Sequence, residues 1–169
     1  VTEMISGLDL VKEQIKVAQG EALSFNQEDL KIQGHAIEVR VYAEDPANNF
    51  LPDIGRLNTY RPPQGPGVRV DDGFEEGMET PIHYDPMIAK LITHGATREE
   101  AIQRMERAID DYAISGIETT LPFCRYVMGH ESFRSGNYDT HFVRDHFKPT
   151  DLEGKDPGEQ AAAALVAAS

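Results

Sequence analysis

His35-Ala36-Ile37-Glu38-Val39-Arg40-Val41-Tyr42-Ala43-Glu44 is the stretch on which the fold turns. Ile37, Val39 and Val41 recur at every second position, with Glu38 and Arg40 between them and His35 ahead. Successive side chains of a strand point to opposite faces, so this spacing makes a strand with one apolar and one polar face. Arg56 to Tyr60 and Gly67 to Val70 read as two further short strands. Between them lies Arg61-Pro62-Pro63-Gln64-Gly65-Pro66, whose fixed prolines and permissive glycine are turn chemistry, and the whole predicts an antiparallel meander.

Farther along, Met87-Ile88-Ala89-Lys90-Leu91-Ile92-Thr93 is another β run, ended by His94-Gly95. Thr97-Arg98-Glu99-Glu100 then sets a hydroxyl three residues before a carboxylate, the reciprocal capping-box arrangement that opens a helix. Ala101, Ile102, Met105, Ala108, Ile109, Tyr112 and Ala113 keep helical spacing, which predicts a helix over 98–114 closed by Gly116. Thr119-Thr120-Leu121-Pro122 reads as a second cap with proline in the first turn, opening a helix to about Met128. Leu121, Phe123, Tyr126 and Val127 are its candidate buried stripe.

Toward the N-terminus, Ile5, Leu8, Leu10, Val11, Ile15 and Val17 fall at helical spacing among charged and amide residues. One amphipathic helix over 8–19 is expected, capped by Asp9 or Thr2 and stopped near Gly20. From Lys148 onward the Pro-, Gly- and Ala-rich composition suits a linker to a further domain.

The 169 residues are 40% hydrophobic and 27% charged, which is the composition of a folded domain. With 29 acidic against 16 basic residues the net charge is −13, and acids are spread along the chain, so nucleic acid is not an expected partner. No apolar run approaches the ~20 residues that span a bilayer, and Val1-Thr2-Glu3-Met4 is no signal peptide, so no membrane partner is expected. The single cysteine, Cys124, has no second cysteine in the chain to pair with; it reads as a small buried hydrophobe in a reducing compartment. The expected location is the cytoplasm, or the mitochondrial matrix in a eukaryote. A chain starting at Val1 rather than Met also suggests a fragment.

Three polar places could carry chemistry, although none matches a phosphate loop, metal-spaced cluster or nucleophile elbow. Arg40 stands on the polar face of its strand, and a guanidinium offers a fixed fork of donors for a planar anion; its plain alternative is a solvated or salt-bridged strand arginine. His83-Tyr84-Asp85-Pro86-Met87-Ile88-Ala89-Lys90 feeds a polar turn into a strand, where function often sits, yet Asp85 before Pro86 is also a common turn starter. In Asn137-Tyr138-Asp139-Thr140-His141-Phe142, His141 is either a ligand contact or a capping residue.

The order and wording of these segments resembles biotin carboxylases. The resemblance is carried by Val1-Thr2-Glu3-Met4-Ile5-Ser6-Gly7, Gly34 to Pro46, Phe50-Leu51-Pro52, Tyr84 to Leu91 and Gly136 to Phe142, and it covers roughly Val1 to Phe147. It implies an α+β domain, an antiparallel sheet from 35–44, 55–60, 67–70 and 87–93 with packed helices, preceded by the last helix of an ATP-grasp domain. Residues 1–30 would be the ATP-grasp remnant, 31–147 the C-terminal domain and 148–169 a linker-like tail.

The implied activity is ATP-dependent carboxylation of biotin with bicarbonate, the first half-reaction of an acetyl-CoA or propionyl-CoA carboxylase. The biotin carboxylase part of pyruvate carboxylase and a non-catalytic assembly module are the alternatives. The implied cofactors are ATP, magnesium with manganese as substitute, and biotin. By the resemblance Arg40 contacts bicarbonate and the ureido oxygen of biotin, and Asp85 orients Arg40. Thr140 and His141 meet ATP, Thr140 standing where the family places an apolar side chain against adenine. Arg69 matches an arginine of the family's dimer interface, with Pro66 in place of the accompanying aromatic. The metal ligands and the glutamate that deprotonates bicarbonate belong to a motif just before Val1, so the isolated chain is expected to be inactive. The implied partners are a biotin carboxyl carrier domain, a second copy of the chain and a carboxyltransferase subunit.

Overall fold

The computed structural model describes residues 1–81 and 84–152. Along the chain run α1 (Thr2–Ser6), α2 (Leu10–Ala18), β1 (His35–Tyr42), β2 (Glu44–Asp45), β3 (Leu51–Pro52), β4 (Thr59–Arg61) and β5 (Val68–Asp72). They are followed by β6 (Met87–Gly95), α3 (Arg98–Asp110), β7 (Ala113–Ser115), α4 (Leu121–Gly129), α5 (Glu131–Ser135) and α6 (Phe142–His146). The main sheet has three strands in the order β1-β6-β5, antiparallel throughout.

The alternation in β1 becomes its two faces. Ile37, Val39 and Val41 are buried against Ala101, Ile102, Met105, Ala108 and Ile109 of α3, and Ile102 and Met105 are fully enclosed. Burying such a side chain is worth about 1.5–3 kcal/mol, so this sheet-on-helix layer is strongly stabilising. Central β6 has no such alternation because both of its faces are covered: Leu91 joins the α3 core, while Ile92 on the other face lies beside Thr2 and Met4 of α1. Thr93, fully buried, donates its hydroxyl proton to the Ala101 carbonyl at 2.9 Å.

Three local expectations are corrected. The single N-terminal helix is two, because Gly7 turns left-handed at φ 73; Asp9, not Thr2, caps the second by accepting from the Lys12 amide at 3.0 Å. The segment near 55–60 does not join the main sheet. β4 pairs instead with β7, whose residues fit the helical period but leave the helix after Asp110. The cause is a tertiary contact: Tyr112 puts its phenol 2.8 Å from that of Tyr60, which also donates to Asp72 at 2.8 Å. Finally, the Thr120 hydroxyl does not cap α4; it is drawn to β1. Leu121 and Met128 are the buried residues of α4, with Phe123, Tyr126 and Val127 partly buried against the core.

Helix α2 turns its apolar residues outward, with Val11 61%, Ile15 52% and Val17 54% exposed. Inward it presents Glu13, only 8% exposed, whose carboxylate accepts from the Ser24 hydroxyl at 2.5 Å, the Ser24 amide at 3.0 Å and Lys16 at 2.9 Å. These contacts, Ser24 foremost, hold its pKa at about 2 against an ordinary 4.5. A carboxyl depressed by folding stabilises the fold above its unfolded pKa and stops doing so as pH falls through the folded one. Glu13→Gln is therefore expected to lower the melting temperature at neutral pH, with the gap to the unsubstituted chain closing as pH drops from 4.5 toward about 2. A gap that does not change with pH would contradict this account. Of the linker-like tail expected over 148–169, Pro149–Leu152 form a short 3-10 turn, and the remainder lies outside the described residues. Among the described residues no helix is long and apolar enough to cross a membrane.

Candidate functional site

Paired residues of an antiparallel ladder share a face, so the register Arg40↔Lys90, Lys90↔Asp71, Glu38↔Ile92 and Ile92↔Arg69 writes out the side of the sheet away from α3. It is a charged face. Arg40 is 61% exposed on it, with its Nε 3.8 Å from Glu38 Oε1. Tyr42, first, and then the charges of Glu38 and Asp85 raise the Arg40 pKa, so the guanidinium is a permanent cation. Beside it, α1 closes a cleft of about 190 Å³ over Glu38, Arg69, Asp71, Lys90 and Ile92.

Arg69 is engaged within the chain: its Nε donates to Asp71 at 2.7 Å and a terminal nitrogen to Glu3 at 2.5 Å. Asp85 is exposed, and its Oδ1 accepts from the Met87 amide at 2.9 Å, closing a turn over Pro86. Burial, first, and the Asp85 charge raise the pKa of the Glu44 carboxyl. His83, part of the same sequence segment, lies outside the described residues.

Thr140 and His141 are exposed at the head of α6. The His141 amide donates to Asp139 Oδ1 at 2.8 Å, and its Nδ1 lies 3.3 Å from the same oxygen. The segment is reached from α5, which is held by Arg98, whose guanidinium donates to the Phe133 and Arg134 carbonyls and stacks 4.7 Å from the Phe133 ring. Among the described residues no hydrogen bond or ion pair joins Asp85 to Arg40, and its charge is the last of the causes that raise the Arg40 pKa. Among the described residues, no hydrogen bond or ion pair joins Thr140 or His141 to either.

Cys124 carries no chemistry here, since burial pushes its thiol up to about 12 and away from the reactive thiolate. Among the described residues no group of three His, Cys, Asp or Glu side chains stands close enough to hold a metal ion. Sequence reasoning missed Tyr42 and Thr120. Tyr42 had a signal, being two residues from Arg40 on one strand and so on its face. Thr120, eighty positions from Arg40, had none.

A sheet with one face packed on a helix and the other charged defines an α+β domain with a strand-borne cation exposed on its charged face. Residues 38–145 match the family model of the biotin carboxylase C-terminal domain, and the chain belongs to that family. It is 51% identical over 153 residues to a pyruvate carboxylase component of Methanothermobacter thermautotrophicus, covering 90% of this chain and 31% of that protein. Against the mitochondrial propionyl-CoA carboxylase alpha chain of Mus musculus it is 51% identical over 147 residues, covering 86% of this chain and 20% of the relative. The biotin carboxylase domain of Hydrogenobacter thermophilus 2-oxoglutarate carboxylase, solved with MgADP, ADP and bicarbonate, superposes with a TM-score of 0.87 at 41% identity, covering 92% of this chain and 34% of that one. The chain thus spans about a third or less of the proteins it matches.

Proposed function

We propose that this chain is the C-terminal part of an ATP-dependent biotin carboxylase and supplies the cation that holds the anionic reactant. The observation that carries the reading is Arg40: exposed on the charged face of β1, permanently protonated, flanked by Glu38 and Tyr42, and inside the stretch that matches the family. A planar guanidinium fits bicarbonate and a cyclic urea alike, because both present oxygen acceptors to its fork of donors. As negative charge grows on the ureido oxygen, a cation already in place stabilises it without reorganising solvent. Asp85 then acts on Arg40 through its charge.

Thr140 and His141, exposed at the head of α6, would contact the adenine end of ATP, which supplies the phosphoryl group that activates bicarbonate. Magnesium would be held by residues elsewhere in the full-length protein. Residues 1–30 would belong to a preceding ATP-grasp domain, a reading supported by the outward apolar face of α2. Arg69 would sit at a subunit interface, its pairing with Glu3 and Asp71 fixing its direction.

The acceptor of the carboxyl group is taken to be acetyl-CoA or propionyl-CoA, which the mouse relative supports. Pyruvate is the second reading, favoured equally by the archaeal relative. Either way the half-reaction is the same, and a biotin carboxyl carrier domain and a carboxyltransferase would complete the cycle.

The test is ADP formation. The full-length protein is expected to release ADP from ATP and magnesium only when bicarbonate and biotin are both present, and residues 1–169 alone to release none. Biotin-independent turnover by the full-length protein, or turnover by the chain alone, would overturn the reading.

A further inference from the structure

The geometry points to Thr120 as a positioning residue that fixes the backbone from which Arg40 is aimed. The inference rests on the role proposed for Arg40. Thr120 stands at the N-cap of α4 and is 5% exposed, yet its hydroxyl makes no cap. It donates to the Arg40 carbonyl at 3.1 Å and accepts from the Tyr42 amide at 3.1 Å, while its own amide donates to the Tyr42 carbonyl at 3.1 Å.

Strand β1 is at the edge of its sheet, so beyond it there is no further strand of that sheet to order its outer side. Thr120 takes the place of that strand at Arg40 and Tyr42, the residues on either side of Val41. On the inner side the ladder is irregular at the same point, because Val41 pairs with Ala89 but Tyr42 with Met87, which leaves Ile88 as an extra residue. A bulge re-aims side chains and weakens local pairing, so the direction of the strand here needs a second restraint. Thr120 provides it at the very residue that carries the guanidinium, through the Arg40 carbonyl.

Both hydroxyl roles, donor and acceptor, are lost in valine and kept in serine. In the full-length protein, Thr120→Val is therefore expected to raise KM for bicarbonate roughly 10-fold or more, since a displacement of about 1 Å at a reacting group is worth up to 10²-fold. KM for ATP and the melting temperature are expected to change far less, and Thr120→Ser to restore the bicarbonate KM. Wild-type kinetics in Thr120→Val, or equal losses for bicarbonate and ATP together with a falling melting temperature, would overturn the inference.

Should Thr120→Val fail to fold, Thr120→Ala, which also removes both hydroxyl roles, reads the same linkage with less steric change. A bicarbonate-selective rise in KM supports it, and unchanged kinetics contradict it. Arg40→Ala separates the two levels: if that variant is impaired while Thr120→Val is silent, only the positioning role falls, and if Arg40→Ala is itself silent, both fall.

Discussion

Arg40→Ala in the full-length protein is expected to cut biotin carboxylation by roughly 100- to 1000-fold, the usual cost of deleting one preorganised donor to developing negative charge. The fold should not suffer. Arg40 is 61% exposed and contributes nothing to the α3 core, and surface replacements of this kind usually shift stability by no more than about 0.5 kcal/mol. ATP affinity should also hold, because no hydrogen bond or ion pair links Arg40 to Thr140 or His141 among the described residues. Arg40→Lys keeps the charge but loses the planar fork, so it should fall between the two. Initial rates with varied bicarbonate, biotin and ATP measure this, and an alanine variant that carboxylates normally would leave the chain as an assembly module.

Gly116→Ala is expected to destabilise the folded chain by about 2–4 kcal/mol, because it combines a disfavoured backbone with a steric clash. Gly116 lies at φ 98, outside the range that L side chains adopt readily. A Cβ there would meet the Arg56 carbonyl oxygen at 2.0 Å and the Asn58 side chain at 2.8 Å. The nearer obstacle is backbone and cannot swing aside. Relief would mean parting the loop from Asn58, whose amide donates to Ser115 at 2.8 Å, and so loosening the β4–β7 pair. For a domain of this size the loss corresponds to a melting temperature lower by roughly 10 °C. Thermal denaturation followed by circular dichroism tests it, and an unchanged midpoint would mean that the 53–58 segment yields freely.

Locally encoded structure was legible in the sequence. The period-two run of β1, the start of α3 at Thr97 and the proline-led start of α4 each depend on neighbours within a few residues, and each forms where expected. Distant pairings were not. Nothing near Ala113 says that it will face Arg61, because the helical period runs on through Tyr112 and Ala113, and the contacts that draw this segment away, the Tyr60 phenol and the β4 backbone, lie some fifty residues earlier. The same holds for Thr120, whose hydroxyl could satisfy either its own helix or β1, and a sequence cannot weigh a local cap against a distant strand. Arg40 came between these cases. Its face was readable from spacing, its anion-gripping role only from resemblance, and its setting among Tyr42, Glu38 and Asp85 only from coordinates. The burial of Glu13 on α2 was not legible either, since it depends on Ser24, eleven residues farther along.

The central claim is that the guanidinium on β1 grips the small anion and the cyclic urea. A crystal structure of the full-length protein with bicarbonate and biotin bound tests it most directly. A nitrogen of Arg40 is expected within about 3 Å of an oxygen of one or both ligands, as charge-assisted hydrogen bonds require. Both ligands seated with Arg40 still turned to Glu38 and solvent, and some other cation in that place, would contradict it.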